Sequence, residues 1–156
     1  MTQFAADTAV SVDRSRAEIE RTLSRYGASA FAYGWDQDKA LVGFTMRDRQ
    51  IRFVVTLPDQ GERKFTHTPT GQRRAPAGAQ KEWEQAVKQR WRALLLIIKA
   101  KLEAVESGIV EFESEFLSQI VLPDGSTAGQ WMQPQIEHAY EYGEMPAMLP
   151  ALGSGT

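Results

Sequence analysis

An α+β domain over residues 13–143 is predicted from three features of the 156-residue chain. Apolar residues alternate with a period of two between residues 30 and 56, which indicates strands. The segments on either side place apolar residues three and four positions apart, which indicates amphipathic helices. The length, with 42% hydrophobic residues, suffices for one core and is cramped for two domains. The predicted order is an N-terminal helix, a three-stranded antiparallel meander, a long central helix and short C-terminal helices, with an N-terminal tail over 1–12 and an extended C-terminal tail over 144–156.

The first predicted element is a helix over residues 13–26. Ile19, Leu23 and Tyr26 are spaced by four and three residues, Ser11 or Asp13 can cap the helix start, and Gly27 can end it. Because Ser and Asp favour caps and Gly favours helix ends, this stretch reads as one amphipathic helix.

Three alternating runs follow, separated by DQDK and RDRQ, and predict the antiparallel meander. In the first run the small residues Ala30, Ala32 and Gly34 face one way, where a helix can approach closely. The larger residues face the other way, and for the aromatic ones core packing is favoured over base stacking. In the first run these larger residues are Phe31, Tyr33 and Trp35. The corresponding alternating positions of the next two runs are Ala40, Val42, Phe44, Met46, Ile51, Phe53 and Val55.

A Pro- and Gly-rich loop is predicted over 58–80, and a long helix from about Ala79 to Glu106. Leu96 and Ile97 widen the apolar face of this helix, which predicts that its centre is covered on nearly all sides. Short helices are predicted over 109–120 and 128–142, the second capped by Ser126 or Thr127 and broken or kinked at Pro134. The apolar face of the long helix comprises Trp83, Val87, Trp91, Leu94, Leu95, Ile98, Leu102 and Val105.

Charge is distributed unevenly along the chain, although the net charge is only −2. Residues 39–101 contain fourteen Lys or Arg and five acids, whereas residues 102–156 contain nine acids and no Lys or Arg. This asymmetry is typical of a polyanion-binding part beside an acidic part. A solvated helix face, or pairing of the two blocks within the fold, would give the same pattern.

Nucleic-acid binding is the first function that this pattern favours, because several cations on one surface neutralise phosphates and release condensed counterions. We therefore expect a non-catalytic protein that binds single-stranded or duplex DNA or RNA, and the sequence leaves open whether it acts as a homo-oligomer. The pI near 5.7 is lower than that of a typical DNA-binding domain. The candidate contacts are Arg47, Arg49, Arg52, Arg63, Lys64, Arg73, Arg74, Lys81, Lys88 and Arg92.

A protein-binding module, or an inhibitor of host machinery, is the alternative function. The last third of the chain is rich in aromatic residues and Met and carries only negative charge. Trp and Tyr anchors with adaptable Met suit a docking surface, whereas a segment folded back over the helices would bury them. The candidate contacts are Trp131, Met132, Tyr140, Tyr142 and Met145.

No catalytic residue, metal site or cofactor is predicted. PDQGERK contains the letters of a nuclease signature without its spacing, and His67 and His138 lie far apart in the chain. The absence of cysteine and of a signal-like start favours a cytoplasmic protein. The longest apolar run, ALLLII, is too short to span a bilayer, so no membrane partner is expected.

Three segments resemble a family of small proteins of phage and prophage type that has no assigned activity. They are RYGASAFAYGW, EQAVKQRWRALLLIIKAKLEAVESGIVEFESEFLSQIVLPDGSTAGQWMQPQI and AYEYGEMPAMLP. The resemblance covers about residues 14–150 and implies a phage-type context, with no functional residue carried over. Separately, three strands followed by a basic helix is similar in order to single-strand annealing proteins and double-stranded RNA-binding domains, although the characteristic residues of neither group are matched.

Overall fold

The computed structural model describes residues 3–36 and 38–145, with side chains described from residue 12 onward. A three-stranded antiparallel sheet with its strands in chain order is combined with helices, which confirms the predicted α+β class. A 3-10 helix, Leu117–Gln119, lies between the last two α-helices. The other elements are α1 (Gln3–Arg25), β1 (Ala30–Trp35), β2 (Lys39–Met46), β3 (Arg49–Thr56), α2 (Arg63–Thr66), α3 (Pro76–Glu106), α4 (Phe112–Glu115) and α5 (Ala128–Tyr142).

The sheet has one buried face, as the alternation predicts. Tyr33 pairs with Val42, which pairs with Phe53, so these three side chains lie on the same side of the sheet. The turn between β2 and β3 consists of Arg47 and Asp48, both with positive φ, which is the geometry of a two-residue hairpin. The predicted meander is confirmed.

The core forms where α1 and α3 pack on this face. Trp91 of α3 is buried, and its ring lies 5.4 Å from that of Tyr33. Helix α3 thus packs against the aromatic face of β1, and the prediction that the face with Ala30 and Ala32 receives a helix is wrong: those two residues are exposed. Larger side chains on one face bury more apolar area, which decides where the helix packs.

Two helices begin earlier than the sequence predicts. Helix α1 begins at Gln3, so residues 3–12 are helical and are not a tail, and neither Ser11 nor Asp13 is a cap. Helix α3 begins at Pro76, three residues before the predicted start at Ala79. Proline suits the first turn of a helix, because its missing N–H has no partner to lose there. Of the predicted C-terminal tail, residues 144 and 145 are exposed and non-helical, and the rest lies outside the described residues.

The centre of α3 is covered on one side only. Leu96 and Ile97 are 57% and 48% exposed, so the prediction that they are covered is wrong. A three-stranded sheet and one neighbouring helix are too narrow to surround a helix. Among the described residues, no helix is long and apolar enough to cross a membrane.

The connection between β3 and α3 packs against α3 and is hydrogen-bonded to it. Phe65 of α2 is buried, and the Trp83 indole N–H donates a 2.6 Å hydrogen bond to the carbonyl of Pro58. The predicted loop therefore contains a short helix and an anchored turn.

The C-terminal segment packs on the sheet through Phe112 and Phe116, both buried. The backbone N–H of Val121 donates a 2.8 Å hydrogen bond to the carbonyl of Gln50 in β3. Helix α5 continues through Pro134, so of the predicted break or kink the break is wrong, and the kink stays a prediction, since Pro134 has no N–H to donate to the preceding turn.

Candidate functional site

The hairpin cations contact the C-terminal segment. Arg49 forms a 2.8 Å ion pair with Glu113, and Arg52 donates a 2.7 Å hydrogen bond to the carbonyl of Gly125. The guanidinium of Arg47 lies 5.5 Å from the centre of the Phe112 ring. These three contacts join the hairpin to residues 112–125, so the positive charges of the three arginines are partly compensated within the protein.

The cations between β3 and α3 divide into two pairs. Lys64 pairs with Glu62 and Arg74 with Glu82, each at 3.1 Å. Arg63 and Arg73 are exposed, and no carboxylate in the described part of the chain lies within 4.0 Å of either guanidinium.

His67 lies between these two arginines in sequence. Burial of the ring, followed by the charges of Arg63 and Arg73, lowers the pKa of His67 below its usual value. The backbones of His67 and Arg73 are joined by a β-bridge, which brings both residues together. Arg63 and Arg73 therefore both lie close enough to His67 for their positive charges to act on its ring.

Four of the α3 cations lie on one side of that helix, whereas Arg90 and Lys101 lie on the opposite side. Lys81, Lys88 and Lys99 recur at spacings that return to one side of an α-helix, and Arg92 shares that side. Lys99 pairs with Glu18 of α1 at 2.5 Å, so this side of α3 faces α1. Trp83, which donates the hydrogen bond to the preceding loop, is rotated by about 200° from Lys81 and so lies on the opposite side of α3. The structure thus separates the ten predicted cations into three groups.

Helix α5 carries the predicted aromatic contacts, and it buries none of its residues fully. Tyr140 is 89% and Tyr142 62% exposed, Trp131 and Met145 are also exposed, and Met132 is half-buried. The alternative that this segment folds back over the other helices is therefore wrong for the described part. Among the described elements, the main neighbour of α5 is the 3-10 helix.

A groove of about 630 Å³ runs between α5 and the 3-10 helix. Met132 and Ile136 form one wall, Leu117 forms part of the other, and Glu137 lies at the rim. All the residues that line it belong to these two helices. Its lining is mainly apolar, and the groove is open to solvent.

Two local features position α5 beside this groove. The Thr127 hydroxyl accepts from the backbone N–H of Gln130, whose side chain accepts from the backbone N–H of Thr127, so the helix start is doubly capped. Gly129 lets the helix approach the 3-10 helix closely, because a Cβ there would lie 2.9 Å from the carbonyl oxygen of Ser118.

The site prediction missed Leu117 and Gly129. Gly129 had a signal in the sequence, because an isolated glycine inside a helix usually has a packing reason. Leu117 had none, because a single leucine in a polar turn does not reveal its exposure.

No metal centre is formed in the described part of the chain: no group of three or more His, Asp or Glu side chains there could hold an ion. The ring of His138 lies against that of Tyr142 on the exposed surface of α5, with ring centres 4.6 Å apart and the ring planes tilted by 43°.

Comparison of the chain with protein-family models, with curated proteins and with solved structures gives no match. The resemblance to phage-type proteins therefore stays a prediction.

Proposed function

We propose that this chain is a protein-binding module whose contact surface is α5 with the adjoining groove. A single observation carries the proposal: α5 presents Trp131, Ile136, Tyr140 and Tyr142 to solvent while burying no residue fully. Several large apolar side chains exposed along one helix indicate an interaction site.

The composition of the surface suits a partner protein. Tyr and Trp are the residues most often found as binding hot spots, because they bury a large area with few rotatable bonds. Covering the exposed half of Ile136 would contribute about 1 kcal/mol, and each aromatic side chain would add a larger area. An open apolar groove beside a helix is the arrangement that binds amphipathic helical segments in other proteins.

Selection from a random peptide library tests this function. The immobilised full chain is expected to enrich peptides whose affinity falls about tenfold or more on the double variant Ile136→Ser, Tyr140→Ser, since both side chains would be contact residues. Titration calorimetry of the enriched peptides against both proteins measures the loss.

The matched control is Leu96→Ser, Ile97→Ser, which removes two apolar side chains on α3 that are 57% and 48% exposed. Affinity for the enriched peptides should be unchanged in this control. If no enriched peptide distinguishes the α5 variant from the control, α5 is not a protein-binding surface.

Polyanion binding is a second candidate function, supported by the two exposed arginines, Arg63 and Arg73, whose charges both act on His67. Two exposed guanidiniums without a carboxylate partner among the described residues suit phosphate contacts. The hairpin cations are less suited to this role, because they are held by the C-terminal segment.

Replacing Arg63 and Arg73 by Ala is expected to weaken binding of a duplex DNA oligonucleotide and to lower the salt-dependence slope by about 1.8, roughly 0.9 for each lost phosphate contact. Binding of the oligonucleotide should also raise the pKa of His67, measured by NMR titration, because a nearby anion favours the protonated ring. The matched variant Lys88→Ala, Arg92→Ala removes the same charge from α3. An equal effect of both variants, or an unchanged His67 pKa, contradicts a site at this turn.

A further inference from the structure

We infer that the occupant of the α5 groove is a basic amphipathic helix of a partner protein, with its apolar side against α5 and its Lys or Arg residues along one flank. The inference rests on the proposed protein-binding function and adds to it the chemistry of the partner. It follows from two parallel rows of side chains on α5.

The first row is apolar. Met132, Ile136 and Tyr140 are four residues apart, so they form one line along the helix. Met132 and Ile136 line the groove, and Tyr140 continues the line beyond it with its ring in solvent. Spacing of this kind matches the row of side chains that a partner helix presents at its own contact face.

The second row is acidic. Glu137 and Glu141 are four residues apart on α5, so they form a line beside the apolar row, rotated from it by about 100°, and Glu144 follows two residues after the helix end. Glu137 is itself part of the groove rim, and all three side chains are exposed. Among the described residues these three carboxylates form no ion pair or hydrogen bond, so they are available to a partner.

The flank on the other side of the helix carries no acid. Trp131 and Tyr142 lie there, with His138 beyond them. The negative charge of α5 therefore lies on one flank of the groove. A partner helix must carry its cations on the flank that faces these carboxylates, and this requirement determines the direction in which the partner helix runs along the groove.

A second copy of this chain fits the groove poorly. No Lys or Arg occurs after Lys101, so two α5 helices packed together would bring the four carboxylates of their Glu137 and Glu141 residues near one another with no cation from either α5. Like charges at close range oppose association. A basic helix gains the same apolar contact together with favourable charge pairs, and the fifteen residues of α5 offer it a track about 22 Å long.

Two peptides test the inference. Each is a helix of about 18 residues with Leu at positions i, i+3, i+4 and i+7; the remaining positions are Lys in one peptide and Glu in the other. The full chain is expected to bind the Leu/Lys peptide about tenfold or more tightly than the Leu/Glu peptide in fluorescence anisotropy. The triple variant Glu137→Gln, Glu141→Gln, Glu144→Gln should lose about tenfold in affinity for the Leu/Lys peptide and most of its salt dependence.

The matched control is Glu20→Gln, Glu106→Gln, Glu111→Gln, which changes the net charge equally at exposed carboxylates outside the groove. Equal losses in both triple variants, or equal binding of both peptides, would overturn the inference. Self-association of the full chain that the Glu137, Glu141, Glu144 variant strengthens would also overturn it, because the occupant would then be a second copy. If the enriched library peptides require Ile136 and Tyr140 for binding but contain no Lys or Arg, the protein-binding function would be supported, and the inference that the partner is basic would be wrong.

Discussion

Phe116→Ala is expected to lower the free energy of unfolding by about 3–5 kcal/mol, the range for truncating a buried aromatic side chain. Phe116 is fully buried, and its ring packs edge-on against Phe44 and Phe53 at 6.0 and 6.3 Å and lies 5.0 Å from Phe112. Removing it leaves a cavity between the sheet and the C-terminal segment, where neighbouring backbone cannot collapse freely. Urea unfolding followed by circular dichroism measures the change.

The neighbouring substitution Leu117→Ala is the control. Leu117 is 59% exposed, so its truncation should change the free energy of unfolding by no more than about 0.5 kcal/mol. The control should nevertheless weaken peptide binding, because Leu117 forms a wall of the groove. Equal destabilisation by the two substitutions would show that the C-terminal segment is not packed as described.

The sheet could be predicted from sequence because its burial is one-sided. Ala40 and Val42 are buried while Leu41 between them is exposed, and that difference produces the alternation. The aromatic residues of β1 were harder to place: Phe31 and Tyr33 pack against the core, whereas Trp35 at the strand end is exposed. The position of each aromatic residue within β1, and not its residue type, therefore determines whether its side chain is buried.

Helix existence was easier to predict than helix extent. The N-terminal residues of α1 contain Ala5, Ala6 and Ala9, which favour helix, so the helix passes through Ser11 instead of starting there. A cap residue also occurs in helix interiors, and only the neighbouring backbone shows which role it has.

The candidate site could be predicted in composition and not in geometry. The acidic and aromatic character of the last third is visible in the sequence, and so is the cation-rich middle. Pairing of Arg49 with Glu113 and of Lys101 with Glu115 depends on how the C-terminal segment folds against the sheet and α3. The same contacts leave Glu137 and the rest of its row unpaired, which no local pattern reveals.

The position of α5 depends on one close approach, which makes Gly129→Ala informative. Alanine in place of glycine in a helix usually contributes about 0.5–1 kcal/mol of stability. At position 129 the added Cβ would meet the carbonyl oxygen and Cβ of Ser118 at 2.9 and 3.2 Å, so the helix must shift, and overpacking of this kind costs about 1–3 kcal/mol. We expect the steric cost to exceed the gain, with a net loss of about 1–2 kcal/mol, and the groove that binds the peptide to be deformed.

Gly78→Ala provides the opposite sign in a matched position, the first turn of α3. The nearest atom to its added Cβ is the Arg74 Cβ at 3.9 Å, an ordinary contact, so the helix gain of about 0.5–1 kcal/mol should be realised in full. Thermal unfolding of both variants gives the signs, and anisotropy with the Leu/Lys peptide should show about tenfold weaker binding for Gly129→Ala alone. Stabilisation by both substitutions would mean that α5 is free to move away from Ser118, and a groove formed by its contact with the 3-10 helix could not then be the binding surface.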